Sequence, residues 1–230
     1  MSILKHLPNF ITLCNLFCGC IGIVVVLEGH VTYAAYLIWL AALLDFLDGF
    51  VARLLHAYSP IGKELDSLAD MVTFGVLPSI IMFVLLQEKT EGAYWHWIAF
   101  VIAACSALRL AKFNVDTRQS DSFIGLPTPA NALFISALPF IIMGNSFIAP
   151  YIDNAAVLIA ITLLFSYLMV AELKLLALKF KNRSWQDNKA RFLFLALSIL
   201  ILLFLQVQGI PLIIILYLLL SIIGNKKSLS

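Results

Sequence analysis

Long, largely apolar runs set the first limit on what this chain can become. Phe192–Leu205 and Ile210–Ile223 carry almost no polar residue, and shorter runs such as Ile21–Leu27 stand between polar gaps. Runs approaching the roughly 20 residues needed to cross a hydrocarbon core indicate transmembrane helices. The composition agrees: 62% of the 230 residues are hydrophobic and 12% charged, against roughly 25% charged in a soluble domain. Backbone groups in lipid must be satisfied within the protein, which leaves helical bundles and closed barrels. The period-2 alternation of a barrel is absent. The expected fold is therefore all-α, a polytopic transmembrane bundle of about eight spans near residues 9–27, 32–54, 61–86, 93–114, 129–148, 154–178, 190–207 and 210–224. The last two are separated by a tight break at Gly209-Ile210-Pro211. These spans leave no room for a second domain.

Charge gives the orientation. With the N-terminus inside and successive gaps assigned to alternate faces, every lysine and arginine except Lys89 falls on the inner face. The positive-inside rule then puts both termini in the cytoplasm. Tyr94, Trp95 and Trp97 fall at the outer water interface, where aromatic belts form, and the basic inner face would attract anionic lipids. The first span lacks a small-residue cleavage site and is interrupted by Asn15, so it reads as a retained helix and not as a secretory signal. The four cysteines, Cys14, Cys18, Cys20 and Cys105, lie inside expected spans. Cys14 and Cys18 share a helix face, but no further zinc ligands stand near them, and they read as small buried residues. His6, His30, His56 and His96 are scattered near span ends as interfacial residues.

Four aspartates interrupt this pattern. Asp45 and Asp48 are three apart on the second span, and Asp66 and Asp70 four apart on the third. Both spacings put two carboxylates on one side of a helix. The two spans run antiparallel through a short turn at His56-Ala57, so folding the hairpin brings all four to one level, on the order of 10–20 Å in from the turn at 1.5 Å per residue. A carboxylate near mid-membrane costs about 2.5–3.5 kcal/mol, so four cost more than ~10 kcal/mol before their mutual repulsion. One arginine cannot offset that. Divalent cations can, and carboxylate oxygens suit Mg²⁺, Mn²⁺ or Ca²⁺. Two ions shared among four carboxylates suit phosphoryl chemistry, where attacking and leaving oxygens both need stabilising. Gly49 and Arg53 continue the Asp45 face, a close backbone approach followed by a phosphate-pairing cation. Ser59-Pro60 reads as an N-cap and first helical residue, which would aim free N–H groups at the same phosphates, with Gly62 keeping that end uncluttered.

These residues resemble the signature of the CDP-alcohol phosphatidyltransferase family, D-x-x-D-G-x-x-A-R, eight residues, then G-x-x-x-D-x-x-x-D. Asp45, Asp48, Gly49, Ala52, Arg53, Gly62, Asp66 and Asp70 occupy its fixed positions with every spacing kept. Pro8-Asn9-Phe-Ile-Thr12 is similar to the family's opening motif. The runs Asp66–Pro78, Arg109–Asn114 and Phe123–Pro129 resemble its serine-using bacterial and archaeal branch, with Lys112 standing where that branch commonly has arginine. Glycerophosphate-using members usually carry proline at the position of Ser67 and lysine at that of Met71. The resemblance implies a single domain over 1–230 with a catalytic core near 8–135 and C-terminal helices near 150–224. It implies two divalent cations, Mg²⁺ or Mn²⁺, held by Asp45, Asp48, Asp66 and Asp70, with Asp70 also the general base. Asn9, Thr12, Gly49, Ala52, Arg53, Ser59 and Gly62 would bind the CDP-lipid. Substrates would be CDP-diacylglycerol and L-serine, the active site would face the cytoplasm of a bacterial or archaeal cell membrane, and the enzyme would be a homodimer. No nucleic acid is implied.

The acceptor lies outside the signature. A zwitterionic serine needs a cation for its carboxylate and acceptors for its ammonium, and Arg109, Lys112 and Asn114 at the end of the fourth span are the candidates. Glycerol 3-phosphate or inositol phosphate would also welcome two cations. Two other readings fit less well. Intramembrane prenyltransferases carry two separated Asp-rich motifs, whereas the second half here has only Asp153 and Asp187. A cation transporter would not need the Gly-Ala-Arg pattern and would show paired broken helices. The phospholipase-like route to phosphatidylserine needs H-x-K motifs, and no histidine here is followed by lysine two residues on.

Overall fold

A computed structural model of the chain describes residues 3–90, 94–116, 123–144, 147–175 and 185–227. After a short 3-10 turn, α1 (Leu7–Leu27) begins with Pro8 in its first turn, where a missing N–H costs nothing. It ends in a left-handed cap: Gly29 at φ 87° donates its N–H to Val26 and His30 donates to Val25, the paired bonds that close a helix C-terminus. The chain then reverses into α2 (Val31–Leu54), which packs along α1 more extensively than any other two elements pack. His56 at φ 49° makes the next reversal. Ser59 caps α3 (Pro60–Asp70), its hydroxyl oxygen accepting from the Gly62 N–H at 3.0 Å. The expected cap is borne out.

Residues 60–87 form one continuous helical run, but its middle is not an α-helix. Between α3 and α4 (Leu77–Gln87) lies a π-helical segment, Met71–Val76, an arrangement that recurs at functional sites. Small residues let α1 press against it. A Cβ added at Gly19 would overlap the Thr73 hydroxyl and lie 3.0 Å from Thr73 Cα, and one at Gly22 would lie 2.5 Å from Leu77. The Thr73 hydroxyl donates to the Asn15 carbonyl at 3.2 Å. Close backbone approach of this kind is how helices associate in lipid. A 3-10 stretch, Tyr94–Phe100, leads into α5 (Val101–Val115). The core lies where the π segment and α4 meet α5 and α6 (Thr128–Met143): Phe74, Leu77, Ile81, Ile102 and Ile135 are fully buried. Large apolar residues such as Phe10, Phe17, Phe46 and Leu203 face outward, as a lipid-facing surface requires.

Among the described residues, five stretches are long and apolar enough to cross a membrane: 4–27, 31–54, 60–87, 94–115 and 191–223. Two expected spans, 129–148 and 154–178, come out shorter, as α6 (Thr128–Met143) and α8 (Ala155–Val170), of 16 residues each. Between them lies a single turn, α7 (Ala149–Ile152). At 1.5 Å per residue, 16 residues cover ~24 Å, less than a typical ~30 Å core. Both stop because the next residue, Gly144 or Ala171, is extended. Beyond Ala171 the chain forms β2 (Lys174–Leu175), which pairs antiparallel with β1 (Phe123–Ile124), the only strand pairing among the described residues. Gly125, at φ 77°, lets this happen: its N–H donates to Leu173, and a Cβ there would overlap the Met169 carbonyl.

The last apolar stretch doubles back. A 3-10 turn over Gln206–Gly209, with Gln206 at φ 49°, separates α9 (Trp185–Leu205) from α10 (Ile210–Lys227), just ahead of the expected break. The Phe194 and Tyr217 rings lie 6.0 Å apart, a contact no straight rod of that length could make. Arg118, Lys179, Lys181 and Arg183, assigned above to the inner face, lie outside the described residues.

Candidate active site

The α2–α3 hairpin brings its carboxylates together. Oxygens of Asp45, Asp48 and Asp66 all lie within 4.8 Å of one another. Asp70, one turn beyond Asp66, is buried within electrostatic reach of the other three. Two α1 side chains hold this cluster. The Thr12 hydroxyl donates to Asp48 Oδ2 at 2.6 Å, and the Asn15 side-chain amide donates to Asp70 Oδ1 at 3.4 Å. Sequence reasoning took Asn15 only as an interruption of the first span. Its polarity on a buried face opposite the aspartates was the available signal.

Among the described residues no lysine or arginine forms an ion pair with the cluster; Arg109 alone stands within electrostatic reach of one member, Asp70. Among the described residues the ion pair is Lys89–Asp153 at 2.8 Å, beyond the far end of the 60–87 run. Two oxygens on one hard cation at 2.0–2.6 Å can be at most roughly 4–5 Å apart, which the Asp45–Asp48–Asp66 group satisfies. Asp66 Oδ1 is buried with no hydrogen-bond partner, as a vacant ligand atom would be. The residues fit a divalent metal in donor type, spacing and unmet bonding.

A cavity of about 210 Å³ opens beside these carboxylates. Asn9, Thr12, Gly49, Ala52, Ser59 and Gly62, all expected at the CDP-lipid, line it with Asp48 and Asp66. Arg53 does not; it is exposed at the end of α2, next to Ala52. Gly49 and Gly62 differ in what they do. A Cβ at Gly49 meets nothing within 4 Å, so the glycine leaves the cavity wall open. A Cβ at Gly62 would come within 2.9 Å of Asn9 Oδ1 and 3.0 Å of Ser59 Oγ, so that glycine seats α1 against the α3 cap. Ala57, Tyr58 and Lys63 also line the cavity. They carry no motif position, and only the hairpin's geometry brings them in.

The three residues expected to hold the acceptor do not act together. Arg109 is 8% exposed, donates to the Thr128 hydroxyl at 3.4 Å, and stands within electrostatic reach of Asp70 and of Tyr217 on α10. Arg109 and Lys112 share a second, smaller cavity with Asp116 and Glu172. Asn114 is elsewhere: its side-chain amide donates to Ser67 Oγ at 3.0 Å and to Glu64 at 3.4 Å, and its backbone carbonyl accepts from Lys63 at 2.9 Å. Its bonds tie α5 to α3, because it stands five residues past Arg109, about 140° round the helix from that face.

Clustered carboxylates beside a glycine-walled cavity, inside apolar helices, make a candidate metal-binding enzyme site. Residues 5–168 match the family described as CDP-alcohol phosphatidyltransferase, and the chain belongs to that family of phospholipid-biosynthetic transferases. It is similar to the CDP-diacylglycerol–serine O-phosphatidyltransferase of Bacillus subtilis, 35% identical over 172 residues, covering 74% of this chain and 90% of the relative. The enzyme of the same name from Helicobacter pylori strain J99 is 38% identical over 130 residues, 56% of this chain and 54% of that protein. The archaetidylserine synthase of Methanothermobacter thermautotrophicus is 35% identical over 137 residues, 57% of this chain and 56% of that one. The chain thus spans nearly all of the first relative's length and about half of the other two.

Proposed function

We propose that this enzyme transfers the phosphatidyl group of CDP-diacylglycerol to the hydroxyl of L-serine, releasing CMP. The observation that carries the chemistry is the meeting of Asp45, Asp48 and Asp66 within 4.8 Å of one another, with Asp48 and Asp66 at the wall of the cavity. The choice of serine is supported by the names of the bacterial relatives. The CDP-lipid would occupy the cavity, its diphosphate against Gly49 and the α3 N-terminus, where the positive end of the helix dipole favours negative charge. Arg53 would swing from the end of α2 onto a phosphate oxygen. Asp45, Asp48, Asp66 and Asp70 would hold two divalent cations, which supply electrostatic stabilisation of the phosphoryl charge when bound.

Asp70 takes the proton of the serine hydroxyl. Asn15 occupies one of its oxygens, which leaves the other for that proton. The serine oxygen forms a bond to the lipid-side phosphorus, the bond from that phosphorus to the CMP oxygen breaks, and its electron pair leaves with CMP. Arg109 and Lys112 would bind the serine carboxylate. In the membrane we place eight crossings with both termini and the site at the cytoplasmic face, one domain over the chain, and a homodimer. The test is an acceptor screen with purified protein and CDP-diacylglycerol, reading CMP. Release with serine is expected; release with glycerol 3-phosphate and none with serine overturns the assignment.

A further inference from the structure

We infer that Glu172 is an acceptor-binding residue that receives the ammonium group of an amino-acid substrate, and that it sets the preference for a zwitterionic acceptor over a phosphorylated one. The inference rests on the serine reading above and adds to it a residue beyond the 5–168 family match.

The early end of α8 puts Glu172 in place. Continued to residue 178, that helix would carry Glu172 along a membrane span. Instead Ala171 turns extended, the Gly125 N–H catches the Leu173 carbonyl, and β1 holds β2. Residues 170–172 are thereby laid across the end of α5, and Glu172 closes a cavity whose other wall is Arg109 and Lys112. Among the described residues neither Lys112 nor Glu172 has an ion-pair partner. Asp116 adds a second carboxylate to the rim.

This mixture of charges discriminates. Two cations alone would suit glycerol 3-phosphate as well as serine. The Glu172 carboxylate lining the same cavity repels a phosphate dianion and matches an ammonium, so the cavity complements a group that carries both signs. Arg109 joins the cavity to the chemistry, since it lines this wall and its guanidinium lies within electrostatic reach of Asp70. A serine with its carboxylate on Arg109 and Lys112 and its ammonium on Glu172 would direct its short hydroxymethyl arm toward Asp70. Asn114, bonded to Ser67 and Glu64, is left to position α5.

The test uses the full-length protein with CDP-diacylglycerol and three acceptors: L-serine, glycerate, which lacks the ammonium, and ethanolamine, which lacks the carboxylate. CMP release gives kcat and KM for each. Glu172→Gln should raise KM for serine about tenfold, the order expected for one hydrogen bond to a charged group. It should leave KM for CDP-diacylglycerol unchanged and shrink the serine-over-glycerate preference by a similar factor. Glu172→Asp should recover part of that loss, and Lys112→Met should instead erode the preference over ethanolamine. A KM for serine within twofold of the parent, or an equal loss with serine and glycerate, overturns the inference while serine remains the substrate. A parent enzyme that releases CMP with glycerol 3-phosphate and not with serine overturns both.

Discussion

Replacing Gly49 by alanine separates the cavity from the fold, because the two should respond in opposite directions. Gly49 lies in the interior of α2, where glycine costs about 0.8–1.0 kcal/mol relative to alanine. An added Cβ there meets no atom within 4 Å, so no clash offsets the gain. Gly49→Ala should therefore stabilise the ligand-free protein by up to about 1 kcal/mol, or about 2–4 °C in Tm for a chain of this size. The same methyl projects into a cavity of about 210 Å³ at the wall proposed to receive the diphosphate. KM for CDP-diacylglycerol should rise at least tenfold, with KM for serine nearly unchanged. Gly62→Ala is the control: its Cβ would crowd Asn9 and the Ser59 cap, so it should lower Tm. Thermal unfolding in detergent and CMP release measure both quantities. A Gly49→Ala protein that is less stable than the parent, or that binds CDP-lipid equally well, refutes the assignment of this wall to substrate.

Removing divalent metal with a chelator should abolish activity, and Mg²⁺ or Mn²⁺ should restore it; Asp45→Asn and Asp66→Asn should need far more metal for any residual rate, and full activity in chelator would sink the proposed metal site. Asp70→Asn should lose most of kcat with little change in CDP-lipid binding, and a trapped phosphatidyl-enzyme intermediate would exclude direct attack by the acceptor. Thr12→Val removes the 2.6 Å bond to Asp48 but keeps the side chain's shape; it should weaken the metal requirement's sharpness by raising the Mg²⁺ concentration for half-maximal rate, and an unchanged metal titration would show that bond to be idle. Ser59→Ala removes the α3 cap and should cost about 1 kcal/mol, read as a drop in Tm.

Much of the α2–α3 hairpin could be read in advance because its signals are local. Helix periodicity puts Asp45 with Asp48 and Asp66 with Asp70, and Ser59-Pro60 announces a helix start, so the site's first layer follows from spacing alone. What escaped depends on contacts between distant residues. Asn15 meets Asp70 across 55 positions, and Lys63 meets Asn114 across 51. The lengths of α6 and α8 escaped for a related reason. Phe147-Ile148 beyond α6 and the apolar residues of 171–178 make both spans look longer by composition, but α6 stops at an extended Gly144 and backbone pairing of β1 with β2 wins over the helix after Ala171. Asn114 was misplaced because a sequence run shows charge and spacing near Arg109 but not which neighbour the next turn faces.

The π segment at Met71–Val76 has a consequence for how this helix can change length. An α-helix advances about 100° per residue, so a one-residue insertion or deletion normally rotates everything on one side of it relative to the other. A wide turn already holds one residue more than the α-helical count. It separates two faces with different duties: Asp66 and Asp70 before it look toward the carboxylate cluster, while Leu77, Ile81 and Met82 after it look into the core. Deleting one residue within 71–76 would close the wide turn into an ordinary one and leave the two faces in phase, whereas a deletion in α3 or α4 would turn them apart by about 100°. The segment thus acts as an expansion joint, able to take up a residue while holding the angle at which a polar reaction centre is mounted on an apolar shaft.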